Sequence, residues 1–169
     1  MKSGEGITAK NIDDVSPFPC YGGNGLRCFT TRFTQEGNYC LIGRVGALCG
    51  NVLQVSGQFF ASEHAVVVSA FGSVDIGWLM LALRMLGLNR RAESSAQPVL
   101  TVSKLLPLEV LVPSTKDEQT AIGAVLSDME AELAALEARR EKSRNLMQAM
   151  MQELLTGKTR LIPAGAVHA

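Results

Sequence analysis

The chain has 169 residues, 47% of them hydrophobic and 19% charged, with 16 basic side chains balanced by 16 acidic ones. That is enough chain for one packed domain and an appendage. The balance excludes wholesale disorder, a histone-like polycation and an acidic tail protein, so any surface for nucleic acid has to be a local patch. The cysteines at 20, 28, 40 and 49 make no CxxC pair, and a chain of this length needs no disulfides to fold. Reduced, metal-free thiols and a cytoplasmic setting follow as expectations. Met1 to Gly6 lacks the apolar run of a secretory signal. The most apolar stretch, Ala65 to Leu88, is broken by Gly72, Asp75, Gly77 and Arg84, which makes it buried core rather than a membrane span.

In chain order, residues 1–113 read as short strands separated by glycine turns. Gly22-Gly23-Asn24-Gly25 and Glu36-Gly37-Asn38 are expected turns, Tyr39-Cys40-Leu41-Ile42 and Val52-Leu53-Gln54-Val55 expected strands, and Ser56-Gly57 a further turn. Ala65-Val66-Val67-Val68 is the next strand. Ile76, Leu79, Met80, Leu83 and Leu86 then recur at helical spacing behind Asp75, a capping residue, and ahead of Gly87. Val99-Leu100-Thr101-Val102 and Val110-Leu111-Val112 close the domain as expected strands. The fold class that results is α+β.

Residues 114–157 are of another kind. From Thr115 to Thr156 there is no proline, and Gly123 is the only glycine. Thr115 with Glu118 three residues on matches a capping box, and Gly157 suits the position just past a helix. Ile122, Leu126, Met129, Leu133, Leu136, Arg140, Ser143, Met147, Met150 and Leu154 step by alternating fours and threes, the seam of a coiled coil interrupted at its centre. An ordinary helix packed on its own domain is the plainer alternative, but about 57 Å of helix exceeds a small domain's width. Residues 158–169 are expected to fray as a flexible tail.

The seam also predicts how two copies would pair. From Glu118 to Glu137 the charges sum to −5 and from Ala138 to Leu155 to +2, so antiparallel pairing sets acid against base. In a register centred near residue 138, Ile122 meets Leu154 of the other copy, Leu126 meets Met150, and Met129 meets Met147. The helix thus reads as an antiparallel homodimer element built on Ile122, Leu126, Met129, Leu133, Leu136, Met147, Met150 and Leu154.

Chemistry-bearing residues are sparse. Cys49 and His64 would make a nucleophilic pair, but no third group orients them, and a histidine opening a strand is more often structural. The glycine cluster at 22–25 lacks the Lys-Ser/Thr of a phosphate loop. Arg27, Arg32 and Arg44 stand near turns with only Glu36 among them, and Arg90, Arg91 and Lys104 form a second group. Arginine forks onto guanine, asparagine or glutamine pairs with adenine, and lysine neutralises phosphate. On that chemistry Asn24, Arg27, Arg32, Arg44, Asn51, Arg90, Arg91, Gln97 and Lys104 are the candidate contacts to double-stranded DNA.

The strings Pro19-Cys20-Tyr21-Gly22-Gly23-Asn24-Gly25, Leu41-Ile42-Gly43-Arg44 through Cys49-Gly50-Asn51-Val52, and Glu63-His64-Ala65 resemble the target recognition domain of the DNA specificity subunit of type I restriction-modification enzymes. Ser95-Ala96-Gln97-Pro98, Val102-Ser103-Lys104-Leu105, Pro113 through Gln119 and Met150 through Lys158 extend the resemblance over nearly the whole chain. It implies a non-catalytic reader whose recognition domain docks in the major groove and whose helix binds methyltransferase subunits, with a restriction subunit joining them. S-adenosylmethionine, ATP and magnesium would then belong to partner subunits and none to this chain. The family's subunits carry two recognition domains and two spacer helices, and this sequence has one of each, which implies a half-size subunit acting as a homodimer on a bipartite site, or a fragment of a longer one. Two alternatives stay open: a coiled-coil adaptor or restriction decoy that holds the methyltransferase without reading DNA, and a small hydrolase using Cys49 and His64.

Overall fold

The computed structural model describes residues 1–92 and 98–161. Among these, β1 (Lys2–Ser3), β2 (Phe18–Gly22), β3 (Gly25–Thr30), β4 (Gln35–Gly43), β5 (Val52–Ala61) and β6 (Ala65–Val68) form one sheet in the order β1-β6-β4-β5-β2-β3. The β2–β5 pair is parallel and the other neighbours are antiparallel. With α1 (Ile76–Met85), α2 (Val102–Leu105) and α3 (Lys116–Leu155), the fold is α+β, a mixed sheet followed by a long helix.

Alternation along the central strands builds the core on both faces of the sheet. Cys40 and Ile42 of β4 join Val52, Val66 and Val68 on one face, where Leu83, Ile76, Leu79 and Met80 of α1 pack with Leu100 and Leu105. Leu41 points the other way, to Val55, Phe59, Ala61 and Val67. All four residues of β6 are therefore buried and apolar, as a strand covered on both sides requires. Asp75 caps α1 by accepting a hydrogen bond from the Trp78 N–H at 2.9 Å. The sheet curls on itself, because the far end of β5 returns to the β1 edge: the Glu5 N–H donates to the Ala61 carbonyl at 2.9 Å, and Glu5 bridges Ser62.

Several expected elements differ. Glu36-Gly37-Asn38 and Ser56-Gly57 are not turns. Gly37 (φ 120°) and Gly57 (φ 91°) face each other inside a β4–β5 ladder that runs from Gln35 opposite Phe59 to Ile42 opposite Val52. There glycine supplies a backbone conformation that other residues rarely adopt, within a ribbon that continues past it. Val99-Leu100-Thr101-Val102 is not a strand either: Val99 makes one isolated bridge to Val45, and Val102 already opens α2, which turns Leu105 into the same core as Leu100. Val110-Leu111-Val112 has no ladder, and Leu111 is fully exposed. β-Branched residues favour a pleated, half-buried surface, and this segment meets no sheet edge. The β2–β3 hairpin, in turn, goes unread in the sequence beyond its turn, because Pro19, the glycines and Arg27 hide its alternation.

Two compact units make up the chain, Met1–Gly123 and Ala124–Ala169. The first includes the opening turns of α3. There the Glu118 N–H donates to Thr115 Oγ1 at 3.2 Å, and buried Gln119 binds twice, accepting from the Asp75 N–H at 2.7 Å and donating to the Pro113 carbonyl at 3.0 Å. The second unit is the rest of the helix, closed by Gly157 at φ 72°. Lys158 and Thr159 bond back to Glu153, and residues 162–169 of the expected tail lie outside the described chain. No helix among the described residues is long and apolar enough to cross a membrane.

Candidate functional site

β2 and β3 form a ribbon at the edge of the sheet, joined by the two-residue turn Gly23-Asn24 between the paired Gly22 and Gly25. Its register slips once. Cys20 faces Cys28 and Tyr21 faces Leu26, so Arg27 is the extra residue of a bulge. A bulge re-aims a side chain away from the ladder, and Arg27 is exposed.

The loop between β4 and β5, Arg44 to Asn51, is the common neighbour of everything around that ribbon tip. Arg44 donates its N–H to the His64 carbonyl and accepts from the Leu100 N–H, at 2.9 and 2.8 Å, while the Gly46 N–H donates to the Pro98 carbonyl at 3.1 Å. Glycines let the backbones touch. A Cβ on Gly43 would lie 2.5 Å from the Gly23 oxygen and 2.6 Å from the Leu48 oxygen, and one on Gly50 would collide with the Asn89 backbone nitrogen. The glycine motif is thus a backbone-contact device, with no phosphate-loop geometry required to explain it.

Between the turn and this loop lies a cleft of about 420 Å³, lined by Gly22 through Arg27, Val45, Ala47, Leu48 and His64. Asn24 and Arg27 stand on it, and among the described residues no carboxylate lines it. Asn51 belongs to a second cleft of about 350 Å³ that shares Ala47 and Leu48 with the first and is also lined by Arg84, Leu88 and Asn89. Arg90 and Arg91 are exposed on the helical turn Leu88–Arg91 that Gly50 abuts, and half-buried Lys104 lies on α2, just past the segment bonded to Arg44. Asn24, Arg27, Arg44 and Asn51 are therefore brought to one loop cluster, with Arg90, Arg91 and Lys104 on the elements that buttress it.

Arg32 is elsewhere. It pairs with Glu5 at 3.0 Å, and its guanidinium carbon lies 4.8 Å from the centre of the Phe60 ring. Arg44 is half-buried, and its Nε is buried without a hydrogen-bond partner, as are Ser62 Oγ and Glu63 Oε2 beneath the same loops. Gln97 lies outside the described residues.

Cys49 and His64 are bonded to different groups. The Cys49 thiol donates to the Arg44 carbonyl at 3.2 Å, and His64 Nε2 is 3.4 Å from Glu63 Oε1. Burial pushes the Cys49 thiol up, away from the thiolate a nucleophile needs. All four cysteines are free and buried. Burial pushes Cys20 and Cys40 up to about 12, Cys20 being raised further by its hydrogen bond with Cys28.

On α3, Ile122, Leu126, Met129, Leu133, Leu136, Met147 and Met150 are exposed, Leu154 is half-buried, and Leu146, Met151 and Leu155 widen the apolar face near the end. Sequence reasoning missed Leu26 and Leu48, exposed at 54% and 44% on β3 and on the β4–β5 loop of the same cleft. A lone leucine in a strand or a loop looks like any other apolar residue until its exposure is seen.

No family profile matches the chain. A type I restriction enzyme EcoprrI specificity subunit from Escherichia coli is 45% identical to it over 130 residues, which cover 75% of this chain and 32% of that protein. Among solved structures, a type I restriction-modification S subunit from M. genitalium superposes with a TM-score of 0.66 at 23% identity, over 90% of this chain and 42% of that one. The HsdS subunit from Thermoanaerobacter tengcongensis gives 0.65 at 16% identity, over 89% and 41%. The chain thus spans about a third of the length of the curated relative it matches, and these solved chains share its fold.

Proposed function

From a chain that belongs, by sequence and by fold, with the specificity subunits of type I restriction enzymes, we propose a sequence-reading unit that directs methyltransferase and restriction subunits to DNA and performs no chemistry itself. The observation that carries this reading is the cluster of loops at one end of the sheet. Arg27, thrown outward by its bulge, and Asn24 at the ribbon tip border a cleft that no described carboxylate lines. The major groove admits a two-stranded ribbon, and an exposed arginine and asparagine on a cleft with no described carboxylate in its lining suit a polyanion.

In this mechanism Arg27, Arg90, Arg91 and Lys104 neutralise phosphates and fix the register, while Asn24 and Asn51 meet base edges. The half-buried Arg44 braces the loop through its backbone. Two copies joined antiparallel along the exposed seam of α3 would hold two such readers over a bipartite site, and the paired helices would offer the methyltransferase its platform. S-adenosylmethionine, ATP and magnesium would be held by those partners, whose target base must leave the stack for chemistry.

Selection of bound duplexes from a random pool, followed by titration of the winner at 50 to 200 mM salt, tests the reading. The expected result is an enriched motif bound with an affinity that falls steeply with salt. Recovery of no motif, with the methyltransferase still bound, would leave the coiled-coil adaptor in its place.

A further inference from the structure

The cleft beside the ribbon tip carries apolar side chains where a purely phosphate-gripping surface would have none. Leu26 and Leu48 are exposed, and Val45 and Ala47 share their cleft. Asn24 lies on the same cleft, two residues before Leu26, with bulged Arg27 next along the strand. Leu26 lies in β3 just past the ribbon turn and Leu48 in the β4–β5 loop, and the turn and the end of β4 approach backbone to backbone at Gly23 and Gly43, which brings both leucines to one cleft.

We infer that this corner reads an A·T base pair, with Asn24 taking the adenine edge and Leu26 and Leu48 packing on the thymine methyl group. The inference rests on the proposed DNA-reading role and specifies what is read there. In the major groove adenine offers a donor and an acceptor that a carboxamide matches with two hydrogen bonds, and its partner thymine offers a methyl group that only an apolar surface can recognise. A guanine·cytosine pair has no methyl group and would leave the asparagine mismatched. An amide and an apolar patch on one cleft are the complement of an A·T pair. Arg27, one residue from Leu26, is placed to hold the adjoining phosphate.

Using the full chain and the duplex found by selection, each thymine is replaced in turn by deoxyuridine, which removes only the methyl group. At one position per half-site the wild-type protein should lose about four-fold in affinity, the worth of one buried methyl group. That loss should vanish in Leu48→Ala and in Leu26→Ala, both checked for an unchanged melting temperature. At the paired adenine, 7-deazaadenine should weaken wild type but leave Asn24→Ala unaffected. Tight, selective binding that is indifferent to every deoxyuridine, or a methyl effect that persists in both leucine variants, overturns the inference while leaving DNA reading intact. Failure to select any duplex overturns both.

Discussion

At the residue scale, what matters most is where the chain forbids a side chain and where it cannot spare one. Gly43 has backbone oxygens on two sides of its missing Cβ, so Gly43→Ala should cost about 1–3 kcal/mol, as overpacking generally does. Urea melts should show the loss, and the proposed DNA binding should fall with it because the ribbon and the β4–β5 loop part at that contact. Gln119 is the reverse case, an amide no sequence pattern distinguishes from its charged neighbours, yet fully buried and bonded to Asp75 and Pro113. Gln119→Leu leaves the part-buried Asp75 N–H and Pro113 carbonyl without this partner, at up to about 1–3 kcal/mol each. The expected readout is a lowered melting temperature, with helix content measured at low temperature nearly unchanged.

The elements were legible in proportion to how regular their sequence is. α1 could be read because Asp75 caps it and Leu79 and Leu83 keep a helical step; α3 because Thr115 and Gly157 mark its ends. β6 was plain from four consecutive apolar residues. The β2–β3 ribbon, which carries Asn24 and Arg27, was legible only as a turn, since its proline and its bulge break the period of two that betrays a strand. The valines at 99–102 and 110–112 misled because propensity is blind to whether a sheet edge is within reach. The strands also set an acid–base property. Cys40 on β4, like Cys20 on β2, has its thiol raised to about 12 from 9.0 by burial. The unfolded chain ionises first, so below about pH 9 these groups leave stability unchanged, and between about 9 and 12 stability falls as pH rises. Denaturant midpoints taken from pH 8 to 10.5 should decline, and Cys40→Ala should flatten that slope even though it shifts the starting value. A slope identical to wild type would mean that Cys40 is not a source of it.

For the whole molecule, the decisive question is what covers α3. The antiparallel pairing proposed from charge alone predicts that chains carrying Leu126→Cys cross-link to chains carrying Met150→Cys, whereas Leu126→Cys alone does not. The four native thiols are buried and do not compete for the oxidant. Strong cross-linking through position 126 alone would show parallel helices. The exposed stripe itself was legible from the steps of four and three, but the added apolar flank at Leu146, Met151 and Leu155 becomes meaningful only beside the exposed seam it widens.

If partners cover it, that exposed helix would tie the chain's lifetime to the company it keeps. Beyond Gly123 the described helix is exposed nearly throughout, and an exposed helix opens from its end at little cost. Arg139, Arg140, Lys142 and Arg144 lie in its middle, in reach of any trypsin-like protease whenever it opens. A chain whose helix is occupied is protected by mass action; a surplus chain is cut. Cells would accumulate this protein only up to the number of seats available to it, so its stoichiometry would be set by degradation rather than by synthesis. A pulse-chase at rising expression should show a long-lived fraction that saturates, and co-expression of the proposed methyltransferase partner should raise its ceiling.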